Sequence, residues 1–111
     1  MVTVDDFQRQ VFSDAYRSAI CDSPVIELST KRRIKIHIDL FVGGFVEAYY
    51  NQQTETVSYV LIRNGQRVFS ADNTGGWHLH PFDDPSAHMP TTDGCAVLFA
   101  EFLDAIDRQT Y

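Results

Sequence analysis

The stretch 57-VSYVLIRNGQRVFSA-71 decides the fold of this 111-residue chain. It holds two runs rich in β-branched and aromatic residues, separated by Asn64 and Gly65. Asn-Gly is the strongest short-range hairpin signal, because both central positions of a type I′ turn need a positive φ. The stretch therefore predicts two antiparallel strands, over residues 57–63 and 67–71, joined by a tight turn.

Further strand signals precede this hairpin. A period of two with one apolar face is typical of a half-buried strand. Such a face is formed by Ile34, Ile36, Ile38 and Leu40. A short apolar run at residues 25–29 comes before it, and another strand is predicted at residues 45–50, after the turn signal Gly43-Gly44. Together these segments predict an antiparallel meander of four to five strands.

Amphipathic helices are predicted at both ends of the chain. Apolar residues at helical spacing predict the first helix over residues 4–20, with Thr3 as its N-cap and Asp6 completing a capping box. The second helix is predicted over residues 93–108. Two helices on one face of an antiparallel sheet make a two-layer α+β domain, and the length fits a single domain spanning residues 1–111.

The charge balance and the start of the chain limit the classes of function. The net charge is −6, and an acidic protein binds nucleic acid poorly without specific contacts, because phosphate contacts supply most non-specific affinity. Met1 leads directly to Thr3 and Asp5 without the apolar region of a signal peptide. The longest apolar run is too short to cross a membrane. We therefore expect a cytoplasmic protein that does not enter membranes.

Chemistry is concentrated in one segment, which holds three of the four histidines, at positions 78, 80 and 88. If strand alternation continues through residues 77–80, His78 and His80 project to the same side. Asp72 lies just before two glycines, where its carboxylate is placed to orient an imidazole. His88 is expected across a turn. This segment is the candidate site.

Three interpretations of the segment remain open from spacing alone. The histidines are general acid and base for cutting a phosphodiester, since imidazole titrates near neutral pH. Alternatively, His78, His80 and His88 bind a divalent transition metal with an aspartate, although no standard zinc-finger or metalloprotease signature is present. In the third interpretation they are ordinary loop or core residues. His37, beside Asp39, is expected to be a sheet-surface residue outside the site.

The second half of the chain resembles the TumE family of prokaryotic toxin–antitoxin proteins. The resemblance runs over residues 57–106 and consists of a tyrosine-containing strand, a hairpin, the pair Asp72-Asn73, a loop rich in histidine and proline, and a C-terminal helix. It implies a small toxin encoded beside a DNA-binding antitoxin. The residues that it matches are Asp72, Asn73, His78, His80 and His88.

These observations lead to two function hypotheses. The first is a toxin-like, metal-independent ribonuclease that needs no cofactor and partners an antitoxin and RNA. Its catalytic residues are predicted to be Asp72, His78, His80 and His88. Its substrate contacts are predicted to be Arg67, Asn73 and Trp77. The alternative is a non-enzymatic module that binds a metal or a protein, and that self-associates through the uncovered sheet face or the edge strands.

Overall fold

The computed structural model describes residues 2–82, 84, 87, 89, 90 and 95–110, and shows one antiparallel sheet between two terminal helices. The elements, in chain order, are α1 (Val4–Arg17), β1 (Val25–Ser29), β2 (Arg33–Asp39), β3 (Phe45–Asn51), β4 (Thr56–Arg63), β5 (Gln66–Asp72), β6 (His78–His80), β7 (Met89–Pro90) and α2 (Phe99–Thr110). The strands pair in chain order, so the sheet is a meander. The predicted α+β class is confirmed. The strand count exceeds four to five because the histidine-rich segment adds two short strands.

Glycines and one asparagine make the tight turns between the long strands. Asn64 and Gly65 have φ values of 52° and 73°, so both central positions of the β4–β5 turn are left-handed, as the Asn-Gly pair predicts. Gly44, at φ 78°, lies where the start of β3 approaches β4. A Cβ atom at position 44 would lie 2.4 Å from the carbonyl oxygen of Ile62. Only glycine fits there without moving the backbone.

The hydrophobic core lies between the two helices and one face of the sheet. The capping box predicted at the start of α1 is present, and this helix buries Val4, Phe7, Val11 and Ala15. The C-terminal helix buries Phe99, Phe102, Leu103 and Ile106. The strands contribute a continuous apolar layer, which includes Ile34, Ile36, Ile38, Val46, Ala48, Tyr59, Leu61, Phe69 and Ala71. The arrangement is a two-layer sandwich of helices on sheet.

Both helices are shorter than the sequence predicts, and each boundary has a local cause. Helix α1 ends at Arg17 instead of residue 20, because Ser18 adopts an extended conformation and its hydroxyl accepts a hydrogen bond from the amide of Ile20. Helix α2 begins at Phe99 instead of residue 93. There the Glu101 carboxylate accepts from the amide of Leu98, at 2.9 Å, which satisfies an N–H group that the helix leaves open.

The sheet face opposite the helices carries polar side chains, and the candidate sites lie on it. Directly paired residues of antiparallel strands point to the same side. One such row crosses β2 to β6 and consists of His37, Glu47, Val60, Ser70 and His80. The neighbouring row on the same face consists of Lys35, Tyr49, Ser58, Asp72 and His78. We call this surface the polar face.

Candidate functional site

Asp72, His78 and His80 form a cluster on the polar face. Asp72 and His78 are directly paired across β5 and β6. Oδ1 of Asp72 lies 3.3 Å from Nε2 of His78, and Oδ2 lies 3.8 Å from Nε2 of His80. The two imidazole rings are 5.3 Å apart and meet edge to face. One carboxylate therefore faces two imidazoles, an arrangement that we call the Asp72 cluster.

A tight turn after β5 brings the two histidines back to Asp72. Oδ1 of Asp72 accepts a hydrogen bond from the amide of Thr74, at 3.0 Å, which is the local pattern of an Asx turn. Gly75 and Gly76 then adopt φ values of 69° and 108°, which side-chain-bearing residues rarely adopt. The chain reverses within five residues, so that β6 pairs with β5.

The hydrogen bond of the other His78 ring nitrogen determines what Nε2 can do. Nδ1 of His78 lies 3.0 Å from the carbonyl oxygen of Gly76. Because a carbonyl oxygen only accepts, Nδ1 carries a proton, and Nε2 of the neutral ring has a lone pair facing Asp72. A lone pair and a carboxylate oxygen at 3.3 Å repel each other unless a positive charge lies between them. The pair therefore attracts a proton or a metal ion.

A buried serine adds an unsatisfied polar group beside the cluster. Ser70 is paired directly with His80, and both residues are only 3% exposed. Within the described part of the chain, the Ser70 hydroxyl has no hydrogen-bond partner. Leaving a buried hydroxyl unsatisfied costs about 1–3 kcal/mol, so such groups are few in native structures. Sequence reasoning missed Ser70, because only the strand register shows that it faces His80.

Asn73, predicted as a substrate contact, makes two structural hydrogen bonds with its side chain. Its side-chain oxygen accepts a hydrogen bond from the amide of Val57 at 2.8 Å, and its side-chain nitrogen donates to the carbonyl of Glu55 at 2.8 Å. Glu55 has a φ of 56°, so these bonds hold a strained turn at the start of β4. Asn73 therefore joins β4 to the end of β5 and does not present its amide to the Asp72 cluster.

Trp77 lies on the helix side of the sheet and thus away from the histidines. Together with Asn73 it lines a groove of about 430 Å³ whose floor includes Phe7 and Tyr59. The Trp77 and Tyr59 rings are 6.2 Å apart. Burial raises the pKa of the Tyr59 phenol, so this group stays neutral. Trp77 is partly buried and packs against the edge of the core, and its predicted substrate contact stays a prediction.

Two further predicted site residues are not part of the described cluster. Arg67 is paired with Ile62 near the start of β5. It is five positions from Asp72, which at the rise of a strand is roughly 16 Å. His88 lies outside the residues that the structure describes. The predicted set is therefore divided, with Asp72, His78 and His80 together on the polar face.

The polar face also holds a second carboxylate–imidazole cluster, which sequence reasoning missed. It consists of Glu27, His37 and Glu47, whose potential ligand atoms all lie within 4.8 Å of one another. Nδ1 of His37 is 3.0 Å from Oε1 of Glu27, and Nε2 is 2.8 Å from Oδ1 of Asp39. The spacing of His37 and Asp39 was visible in the sequence. The pairing of His37 with Glu47 depends on strand register and was not. We call this group the His37 cluster.

Comparison of the chain with protein-family models, with curated proteins and with solved structures finds no match. The resemblance to the TumE family therefore stays a prediction. Among the described residues, no helix is both long enough and apolar enough to span a membrane. The geometry of the two clusters is the main basis on which a function can be assigned.

Proposed function

We propose that this protein binds a divalent transition metal through Asp72, His78 and His80. The observation that carries the proposal is the 3.3 Å separation between Nε2 of His78 and a carboxylate oxygen of Asp72, with Nδ1 of the same ring 3.0 Å from the carbonyl oxygen of Gly76. A metal ion between these atoms turns the repulsion into two coordinate bonds. The hydrogen bond from His78 Nδ1 to a backbone carbonyl is the kind of support that orients metal-binding histidines in general.

The distances within the Asp72 cluster fit such an ion. Zinc binds imidazole nitrogen at about 2.0–2.1 Å and carboxylate oxygen at about 2.0–2.2 Å, so neighbouring ligand atoms of a tetrahedral ion are about 3.4 Å apart. The observed separations from Asp72 oxygens are 3.3 Å to His78 and 3.8 Å to His80, so small side-chain rotations suffice. Two imidazoles and one carboxylate suit zinc, iron, nickel or copper.

The burial of His80 favours binding over acid–base catalysis. A general acid or base must reach the substrate atom that it protonates or deprotonates. His80 is 3% exposed, which leaves its ring little access to a large substrate such as RNA. A metal ligand has no such requirement, because it needs only to reach the ion. The Ser70 hydroxyl beside it offers a polar group to a further ligand of that ion.

A second candidate function is the toxin-like ribonuclease of a toxin–antitoxin module, acting without a metal in the cytoplasm. The contact of one carboxylate with two imidazoles favours it, because an acid–base pair oriented by Asp72 is the required arrangement. In this proposal the partners are RNA and an antitoxin protein. Self-association through the polar face or the edge strands belongs to the alternative of a protein-binding module.

Native mass spectrometry with zinc, with and without a chelator, tests the metal proposal. We expect Asp72→Asn and His78→Ala each to hold one zinc ion fewer per chain than the wild type. Arg67→Ala, at the far end of β5, is the matched control and should keep the wild-type number. Wild-type zinc binding in both cluster variants would refute the proposal, provided that circular dichroism shows them folded.

The ribonuclease candidate has a separate test. Growth arrest and RNA cleavage are compared between the wild type, His78→Ala and His80→Ala, each with and without a chelator. Activity that is lost in both variants but resists the chelator would favour the metal-independent toxin over the metal-binding protein. Equal toxicity of all three proteins would remove the histidines from the mechanism.

A further inference from the structure

We propose a second metal site on the polar face, formed by Glu27, His37 and Glu47, which takes a divalent ion such as Mn²⁺ or Zn²⁺. It is independent of the Asp72 cluster. His37 and His80 belong to one row of paired residues and are separated by four strand spacings, or about 19 Å. Metal ions that act as a pair are only about 4 Å apart, so the two clusters form two separate mononuclear sites.

Asp39 determines which ring nitrogen of His37 is available. Oδ1 of Asp39 lies 2.8 Å from Nε2 of His37, a distance at which the ring donates its proton to the carboxylate. In the neutral ring, Nδ1 then carries the lone pair. A carboxylate that fixes the tautomer of a histidine in this way recurs behind metal ligands. Asp39 is therefore a positioning residue for the proposed site.

The available nitrogen, Nδ1 of His37, is buried and lacks a well-aligned hydrogen bond. Nδ1 of His37 is inaccessible to solvent and makes no hydrogen bond in the described part of the chain. Oε1 of Glu27 is only 3.0 Å away, so the atoms are close enough but out of line for an N–H···O bond. A proton on Nδ1 would thus be poorly satisfied, because hydrogen bonds weaken steeply with misalignment.

A metal ion between Nδ1 and the glutamates accounts for the same geometry. In an octahedral ion such as Mn²⁺, with bonds of about 2.1 Å, adjacent ligand atoms are about 3.0 Å apart and each lies off the other's lone-pair axis. The contact between His37 Nδ1 and Oε1 of Glu27 has this separation, and Nδ1 makes no hydrogen bond in the described part of the chain. Glu47, paired directly with His37, brings a second carboxylate within 4.8 Å. Three ligands from three neighbouring strands therefore converge on one point.

The residues around the His37 cluster indicate which ion it prefers and which side chain competes with that ion for Glu47. Two carboxylates and one imidazole favour harder ions than the Asp72 cluster does, which leads to manganese or zinc. The side chains of Glu27 and Glu47 are 39% and 25% exposed, so an ion can reach them. The ammonium group of Lys35 lies 3.5 Å from Oε2 of Glu47. An entering ion must therefore compete with Lys35 for this carboxylate.

Nuclear magnetic resonance of the histidine rings tests the proposal, because the two clusters offer different nitrogens. Zn²⁺ is titrated into ¹⁵N-labelled full-length protein while the ring nitrogens are observed. We expect the Nδ1 resonance of His37 to shift on binding, whereas the Asp72 cluster should respond through Nε2 of His78. His37→Ala should hold one zinc ion fewer than the wild type by native mass spectrometry.

Two variants of Asp39 distinguish its positioning of the His37 ring from a general loss of structure. Asp39→Asn should weaken zinc binding at this site by roughly 10- to 100-fold, and Asp39→Glu should restore part of the affinity. If the His37 ring signals do not move while zinc binds elsewhere, the second site is refuted and the Asp72 proposal stands. If the His37 signals move and those of His78 do not, the second site stands and the Asp72 proposal fails.

Discussion

Asp72 opposite His78 and Glu47 opposite His37 are two versions of one cross-strand pair on the same sheet face, but they use opposite ring nitrogens. In the first pair, Nδ1 of His78 donates to the backbone carbonyl of Gly76, and Nε2 faces the carboxylate. In the second, Nε2 of His37 donates to Asp39, which leaves Nδ1 for the glutamates. In each carboxylate–histidine pair, the hydrogen bond made by one ring nitrogen therefore determines which other nitrogen is available to bind a metal ion.

The two pairs also depend on different parts of the fold. The His78 contact requires the five-residue reversal between Asp72 and β6, a strand of only three residues. The His37 contact requires the register of β2 and β3, which pair over seven residues each. Local turn chemistry supports the first cluster, and long strand pairing supports the second. Variants that disturb one support should leave the other cluster functional, and this independence can be measured.

The largest effect that we expect is stabilisation by zinc. A ligand at 100 times its Kd raises the free energy of unfolding by about 2.7 kcal/mol per site, and distant sites add. With two sites the wild type should gain about 5 kcal/mol in urea unfolding, whereas His37→Ala and Asp72→Asn should each gain about half of that. The double variant His37→Ala/Asp72→Asn is the control for zinc that binds elsewhere. Equal gains in all four proteins would contradict both sites.

A smaller effect should follow from loss of the Asn73 clamp. Asn73→Ala leaves the amide of Val57 and the carbonyl of Glu55 without these partners, and should lower the free energy of unfolding by about 1–3 kcal/mol in metal-free urea titrations. Because Asn73 adjoins Asp72, zinc binding should weaken at the Asp72 cluster and stay unchanged at the His37 cluster. Asn73→Asp keeps the acceptor for Val57 and should lose less stability. An equal loss of zinc affinity at both clusters would show that the two clusters do not depend on separate parts of the fold.

The fold could be predicted wherever a local signal was repeated. The alternation of Ile34, Ile36 and Ile38 and the Asn64-Gly65 turn led to the meander, and the structure confirms both. The end of α1 and the start of α2 could not be predicted, because single side chains such as Ser18 and Glu101 determine them. The alternation considered for residues 77–80 coincides with β6, whereas β7 has only two residues, too few for a period to be recognised.

The candidate site could be predicted only where alternation and the chain reversal act together. Strand alternation places His78 and His80 on one side of the sheet and Trp77 and Asn73 on the other. All four residues were predicted to form one site because of their residue types. The His37 cluster draws its ligands from three strands. Glu47 faces His37 only because of a register that no short segment of sequence contains. Sites of this kind become visible once the strands are paired.

The smallest expected effect is a change in zinc affinity at the His37 cluster when Lys35, which competes with the metal for Glu47, is replaced. Lys35→Met removes the ammonium group 3.5 Å from Glu47 while keeping much of the side-chain volume. A partly exposed ion pair is worth about 0.2–1 kcal/mol, so zinc affinity at this cluster should rise by a factor of roughly 1.4 to 5. Lys31→Met, at the exposed turn between β1 and β2, makes the same change in net charge away from the cluster. Calorimetric titration on an Asp72→Asn background isolates the site. An equal rise in both lysine variants would assign the effect to overall charge, and a rise confined to Lys35→Met would locate the ion beside Glu47.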